Sequence, residues 1–265
     1  WLDLVSEPGG AQMSMIEACA GLAKRGIEIV AAAPPGFLSD RLAQVGITVY
    51  PVSPLRARKR GFNYFVTAAK VLRAPSSVAE ILRAVKPDII HANSLTAFIA
   101  AKGTHTRIPV VWHVRDLRLP RLAVYEAGKM AEMIIAVSQA VDEWLAEILS
   151  PRVLGRIRVV RNGIDLARFA AGDREGCRAK LSLPSGAPVI GMVANVAPWK
   201  RQDAFIEAAA MIRDAMPEAR FRTRDAPAQA AHAAERVGDR PLAADRETGL
   251  GGRFLEHPWA LRREV

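Results

Sequence analysis

Short apolar runs and amphipathic stretches alternate along this chain. The runs at residues 2–5, 27–33, 47–52, 88–92, 109–114, 133–137 and 157–160 read as buried strands. Between them the apolar positions change period. Over residues 11–24, Met15, Ala18, Cys19 and Leu22 fall at i, i+3, i+4 and i+7, one face of a helix that Gly26 closes. A short helix is expected near Asp40. Two more span residues 62–72 and 76–85, split by Pro75, and another spans 96–102. After the run at 133–137, Val141, Trp144, Leu145 and Ile148 share a helical face. Near-continuous apolar strands alternating with helices predict an α/β fold with a parallel, doubly wound sheet.

The pattern restarts beyond residues 169–173. A strand at 189–193 and a turn at Ala197-Pro198 precede a helix at 202–215, whose core face carries Phe205, Ala208, Ala209 and Ile212. The organisation expected is a complete Rossmann-like domain over residues 1–170, the start of a second over 171–221, and a tail over 222–265. That tail is rich in Arg, Ala, Asp and Gly and poor in apolar runs, so it reads as irregular.

Composition narrows the class. Half of the 265 residues are hydrophobic and 24% are charged, as in a globular protein. Two distant cysteines, Cys19 and Cys177, make no disulfide framework and favour a reducing, cytoplasmic setting. No apolar stretch reaches the roughly eighteen residues of a membrane span. The first residue is Trp1, inside a strand-like run, and the expectation is a fragment at that end. The net charge of +10 admits anionic lipid, nucleic acid or phosphorylated ligands and does not choose among them.

Four loops carry candidate chemistry. Gly9 and Gly10 lie between the first strand and first helix, where backbone can approach a ligand and free N–H groups face an anion. A tight turn explains them equally well. The spacing is not G-x-G-x-x-G, which counts against a dinucleotide-binding oxidoreductase. His113 and Arg115 stand two apart at the end of the run Val110-Val111-Trp112-His113-Val114, so their side chains share a side, with Asp116 following. Arginine offers a charged fork to phosphate or carboxylate, and histidine can polarise a hydroxyl. Asn162-Gly163 opens the third loop, which alone reads as a turn. The fourth holds Asn195, Lys200 and Arg201. Cations beside a helix N-terminus oppose its dipole, which favours a bound anion as their reason. A lysine there can neutralise a diphosphate leaving group.

In this order and spacing, the four loops resemble the retaining glycosyltransferases of family four, over about residues 2–221. The resemblance implies a GT-B fold of two Rossmann-like domains and transfer of a sugar, with retention, from a nucleotide-sugar donor to the hydroxyl of a glycan or lipid-linked acceptor. Such chemistry serves cell-surface polysaccharide or glycolipid synthesis. It further implies Gly9, Gly10, Asn162, Asn195, Lys200 and Arg201 on the donor side and His113, Arg115 and Asp116 at the reacting centre. No metal or other cofactor is expected, and no metal-ligand cluster stands in the sequence.

The chain departs from that family in places. Asn195 stands where arginine is usual, Lys200-Arg201 replaces Lys-Gly, and the His-Asp pair falls on Arg115-Asp116, with His113 a shifted substitute. The Glu-x7-Glu spacing of Glu256 and Glu264 lacks the family's glycine-rich context and reads as coincidence. A buried strand should continue past Phe221, whereas the residues are Arg222-Thr223-Arg224-Asp225. The expectation is a shifted reading frame from there, with a genuine irregular tail as the alternative, and a chain of impaired activity.

The basic run Arg56, Arg58, Lys59 and Arg60, followed by Phe62, suits acceptor contact or the anionic inner face of the plasma membrane, as well as a plain solvated loop. Nucleic acid is not expected, since no binding motif accompanies the charge. Two other readings stay open: a nucleotide-sugar epimerase on the same fold, and a non-catalytic binding module.

Overall fold

A computed structural model describes residues 1–54, 75–117, 119–167, 172–194 and 200–224. The chain divides into two compact units, Trp1–Ile164 and Asp165–Val265. The division falls ahead of the boundary expected near residue 170.

The first unit is a parallel sheet with helices on both faces. Helix α1 (Gly10–Ala23) leads to β1 (Val30–Ala33), α2 (Phe37–Gln44) and β2 (Thr48–Pro51). Then come α3 (Pro75–Val85), β3 (Ile90–Ala92), α4 (Leu95–Gly103), β4 (Val110–Val114), α5 (Arg121–Met130), β5 (Met133–Ala136), α6 (Gln139–Ala146), α7 (Pro151–Leu154) and β6 (Ile157–Val159). β1 pairs with β2, and β3 to β6 pair in chain order, all in parallel.

The first residues join these two sets. Leu2 bridges Ala32 of β1 and Ala92 of β3. Its N–H donates to His91 O at 2.9 Å and its carbonyl accepts from Asn93 N at 3.0 Å, while Asp3 N donates to Ala32 O at 3.0 Å. The opening segment is therefore the central strand of one continuous sheet, although only Leu2 has the ladder that residues 2–5 were expected to form.

Strand alternation sends side chains to two cores. Ala31 and Ala33 face Met15, Ile16 and Cys19 of α1 and Phe37, Leu38 and Leu42 of α2. Leu2, Ala32, Ala92, Trp112 and Ile134 face the opposite layer. There Ala97, Ala100 and Ala101 of α4 are all fully buried, small enough to bring the helix against the sheet. Phe98 and Trp112 fill the space beside them, ring centroids 5.6 Å apart.

Helix ends follow local chemistry. Gly26 and Gly46 take φ of 82° just past α1 and α2, and each is followed by a residue whose N–H reaches back to Leu22 O or Leu42 O. That closing geometry needs a left-handed residue. Pro75, expected as a break, is the first residue of α3, where its missing N–H costs nothing.

The second unit holds α8 (Arg174–Lys180), β7 (Val189–Val193), α9 (Gln202–Ala215) and β8 (Arg220–Arg224), with β7 and β8 parallel. The irregular tail expected from residue 222 is thus corrected at its start, because Arg222, Thr223 and Arg224 complete a strand. Arg222 is half-buried and donates from Nη2 to Leu181 O at 2.8 Å. An aliphatic stem with a satisfied head lets arginine occupy a position expected to be apolar. Among the described residues no helix is long and apolar enough to cross a membrane.

Candidate functional site

The carboxyl ends of parallel strands all open on one edge of the sheet. On that edge the central strands contribute side chains at alternate positions: Trp1 and Asp3, His91 and Asn93, His113 and Arg115. Strand alternation places each pair on one face, and their hydrogen bonds show that the three faces coincide.

Asp3 lies at the bottom, fully buried. Its carboxylate accepts from Asn93 Nδ2 at 2.7 Å, Gln12 Nε2 at 3.1 Å and Val5 N at 3.1 Å. Burial pushes its pKa up, and these hydrogen bonds pull against that shift. Each of these three neighbours donates, so the ionised form fits the site. Ser94 follows Asn93 and caps α4 by accepting from Ala97 N at 3.2 Å, which fixes the turn that presents Asn93.

Arg115 spans the cluster. Its Nε donates to Asn93 Oδ1 at 2.9 Å, its Nη1 to Ser14 Oγ of α1 and to Asn162 Oδ1 at 3.2 Å, and its Nη2 stands 3.2 Å from His113 Nδ1. Burial lowers its pKa to about 10, with Asp3 and Asp116 opposing, so it stays charged at neutral pH. The fork expected to face a phosphate is largely taken up by protein acceptors.

His113 is 6% exposed, and its Nε2 has no hydrogen-bond partner among the described residues. His91 Nε2 lies 3.1 Å from His113 Nδ1, and the His91 ring stacks on Trp1 with centroids 3.5 Å apart. Burial, then the His113 and Arg115 charges, lower the His91 pKa to about 2. Burial and Arg115 lower that of His113 to about 3. Both rings are neutral at physiological pH.

Of the residues expected at a site, the structure joins His113, Arg115 and Asn162. Asp116 follows β4, exposed. Gly10 begins α1 beside open space, where an added Cβ would meet nothing within 4 Å. Gly9 is extended, with φ of −164°, a conformation open to any residue. An added Cβ there would come within 2.7 Å of Gln12 Oε1, the far end of a side chain that would have to shift. Lys200 and Arg201 belong to the second unit. Arg201 is left-handed, with φ of 55°, and its Nε donates to Asp203 at 3.0 Å, so a carboxylate already answers its charge. Asn195, Arg56, Arg58, Lys59, Arg60 and Phe62 lie outside the described residues. The sequence reading missed Asp3, Gln12, Ser14, His91 and Asn93. Among the described residues no group of three or more His, Cys, Asp or Glu could hold a metal.

Comparison with known proteins follows this geometry. The family model described as Glycosyltransferase Family 4 matches residues 8–168. The D-inositol 3-phosphate glycosyltransferase 1 of Catenulispora acidiphila is 26% identical over 233 residues, covering 78% of this chain and 53% of that protein. The D-inositol 3-phosphate glycosyltransferase of Mycolicibacterium gilvum is 43% identical over 60 residues, 23% of this chain and 14% of that one. Among solved structures, Anabaena Alr3699/HepE in complex with UDP-glucose superposes with a TM-score of 0.62 at 22% identity, over 84% of this chain and 58% of that one. Sucrose-phosphate synthase of Thermosynechococcus elongatus gives 0.61 at 15% identity, over 84% and 60%. These structural likenesses carry the fold, an α/β architecture of GT-B type. Even where it matches along most of its length, the chain spans about half of the curated relatives.

The histidine pair makes stability depend on pH. Unfolded histidine titrates near 6.5, and the folded rings titrate near 2 and 3. Below about pH 6.5 the unfolded chain takes up protons that the folded chain refuses. This contribution is therefore present above pH 6.5 and lost as pH falls. Between pH 7 and pH 5 the His113→Gln variant should lose roughly 1–2 kcal/mol less stability than the parent. Urea midpoints at the two pH values check this. Equal losses in both proteins would contradict it.

Proposed function

The chain belongs to Glycosyltransferase Family 4, and from that premise we propose that it serves transfer of a sugar from a nucleotide-sugar donor to an acceptor hydroxyl, with retention of configuration. The observation that carries this reading is the polar edge itself. A permanent cation, a buried ring with an unpartnered nitrogen and the start of α1 converge at the carboxyl ends of central strands, where ligands bind in open α/β sheets. The relatives named as D-inositol 3-phosphate glycosyltransferases and the neighbour solved with UDP-glucose support the reaction class. Retention, a glycan or lipid-linked acceptor, and a place in cell-surface polysaccharide or glycolipid synthesis follow from the resemblance of the four loops.

In this reading His113 meets an oxygen of the transferred sugar. The N-terminal N–H groups of α1 beside Gly10 face the donor phosphates. Incubation with UDP- and GDP-sugars, followed by mass spectrometry of the products, tests this. Release or transfer of the sugar is expected, slowed about 10²–10³-fold by His113→Ala, the scale of losing one aimed hydrogen bond. Binding of a sugar nucleotide with no turnover would instead make the chain a binding module.

Peripheral contact with an anionic membrane from the cytoplasmic side belongs to the same reading. It rests on the charge of Arg56, Arg58, Lys59 and Arg60 in the sequence. Binding to phosphatidylserine vesicles should weaken by about 1 kcal/mol for each of these changed to Gln. Sedimentation with vesicles that these changes leave unaltered would exclude the contact.

A further inference from the structure

The donor-only guanidinium beside His113 favours one hydrogen-bonding arrangement. Arginine carries only donors. With Arg115 Nη2 3.2 Å from His113 Nδ1, that nitrogen must accept. His91 Nε2 lies 3.1 Å from the same atom. Were His91 Nε2 unprotonated, two lone pairs would face each other, so it donates as well. A proton on His113 Nδ1 would be set against a guanidinium that has only donors to offer. A neutral ring with an acceptor at Nδ1 carries its proton on Nε2.

Arg115 is itself held in place. Its Nε donates to Asn93 Oδ1, and Asn93 Nδ2 donates to Asp3 Oδ2. Reversing the Asn93 amide would set its NH2 against the guanidinium and its oxygen against a carboxylate, so the two neighbours fix its orientation. Ser14 and Asn162 hold Nη1.

We propose that Arg115 is a positioning residue: anchored through Asn93 to Asp3, it locks His113 as the Nε2–H tautomer and so makes the ring a hydrogen-bond donor rather than a base. The donor points from a nitrogen that is buried and unpartnered among the described residues. It would be matched by an oxygen acceptor of the bound sugar or phosphate, and that assignment of the acceptor rests on the function proposed above. An unpaired buried donor is costly, and an acceptor oxygen would relieve that cost.

The tautomer can be read directly. Protein labelled with 15N-histidine is studied without ligand at neutral pH by long-range 1H–15N correlation, with the His113 signals assigned through His113→Gln. The parent should show His113 protonated at Nε2 alone. Arg115→Lys keeps the charge but loses the fork, and Asn93→Ala removes the anchor. Both should develop a measurable Nδ1–H fraction while keeping a cooperative melting transition. Ser14→Ala, the mildest change, is read if the other two fail to fold. A parent protonated at Nδ1, or folded variants that stay wholly Nε2–H, would overturn the proposal. Because no ligand is present, failure of a nucleotide sugar to bind overturns only the functional reading.

Discussion

A carboxylate sealed from water must be surrounded by donors or it will not stay charged. Asp3 meets that demand with Asn93, Gln12 and the backbone of Val5. The consequences run outward. Asn93 spends its amide on Asp3 and turns its oxygen to Arg115. Arg115 then spends its fork on Asn93, Ser14, Asn162 and His113. What emerges at the end of this chain is one buried imidazole nitrogen, His113 Nε2, with no partner among the described residues. The side chains come from separate elements, so the network also ties the central strand to β3, β4, α1 and the loop after β6.

Much of the fold was legible because the central strands β1, β3 and β4 are largely buried and so carry unbroken apolar runs. The strand Val189–Val193 and the helix Gln202–Ala215 lie where periodicity put them. Failures came where apolar periodicity is not what forms the element. Helix α5 buries Val124, Ala127 and Gly128, residues too small to mark a face in the sequence. Helix α8 buries nothing and is held by the Asp173 cap on Gly176 N. In β8 arginines alternate with Phe221 and Thr223, and a strand that tolerates arginine stems does not announce itself by hydropathy. Conversely, the run at 27–33 overreached, since Ile27 is half exposed and the ladder begins at Val30.

The site was half legible. His113 and Arg115 could be found from their spacing at a strand end and Asn162 from its loop, and the structure joins the three. The rest needed topology. W-x-D, H-x-N and H-x-R are each unremarkable, and they matter only once three strands lie side by side with Leu2 bridging β1 and β3. That shared period-two signature at strand ends was the available clue. Arg201 stands at a helix start as expected, and Asp203 in the first turn pairs with it.

Fold alone does not choose the chemistry, since one fold hosts unrelated activities and the site must decide. In the proposed function, ligand binds at the edge of the first unit where β3, β4 and the start of α1 meet. The direct test maps backbone amide shifts on adding a panel of UDP- and GDP-sugars to the labelled chain. The account predicts shifts at Gly10, Asn93, His113 and Asn162. Shifts confined to the opposite edge of the sheet, around Gly46 and His105, would contradict it.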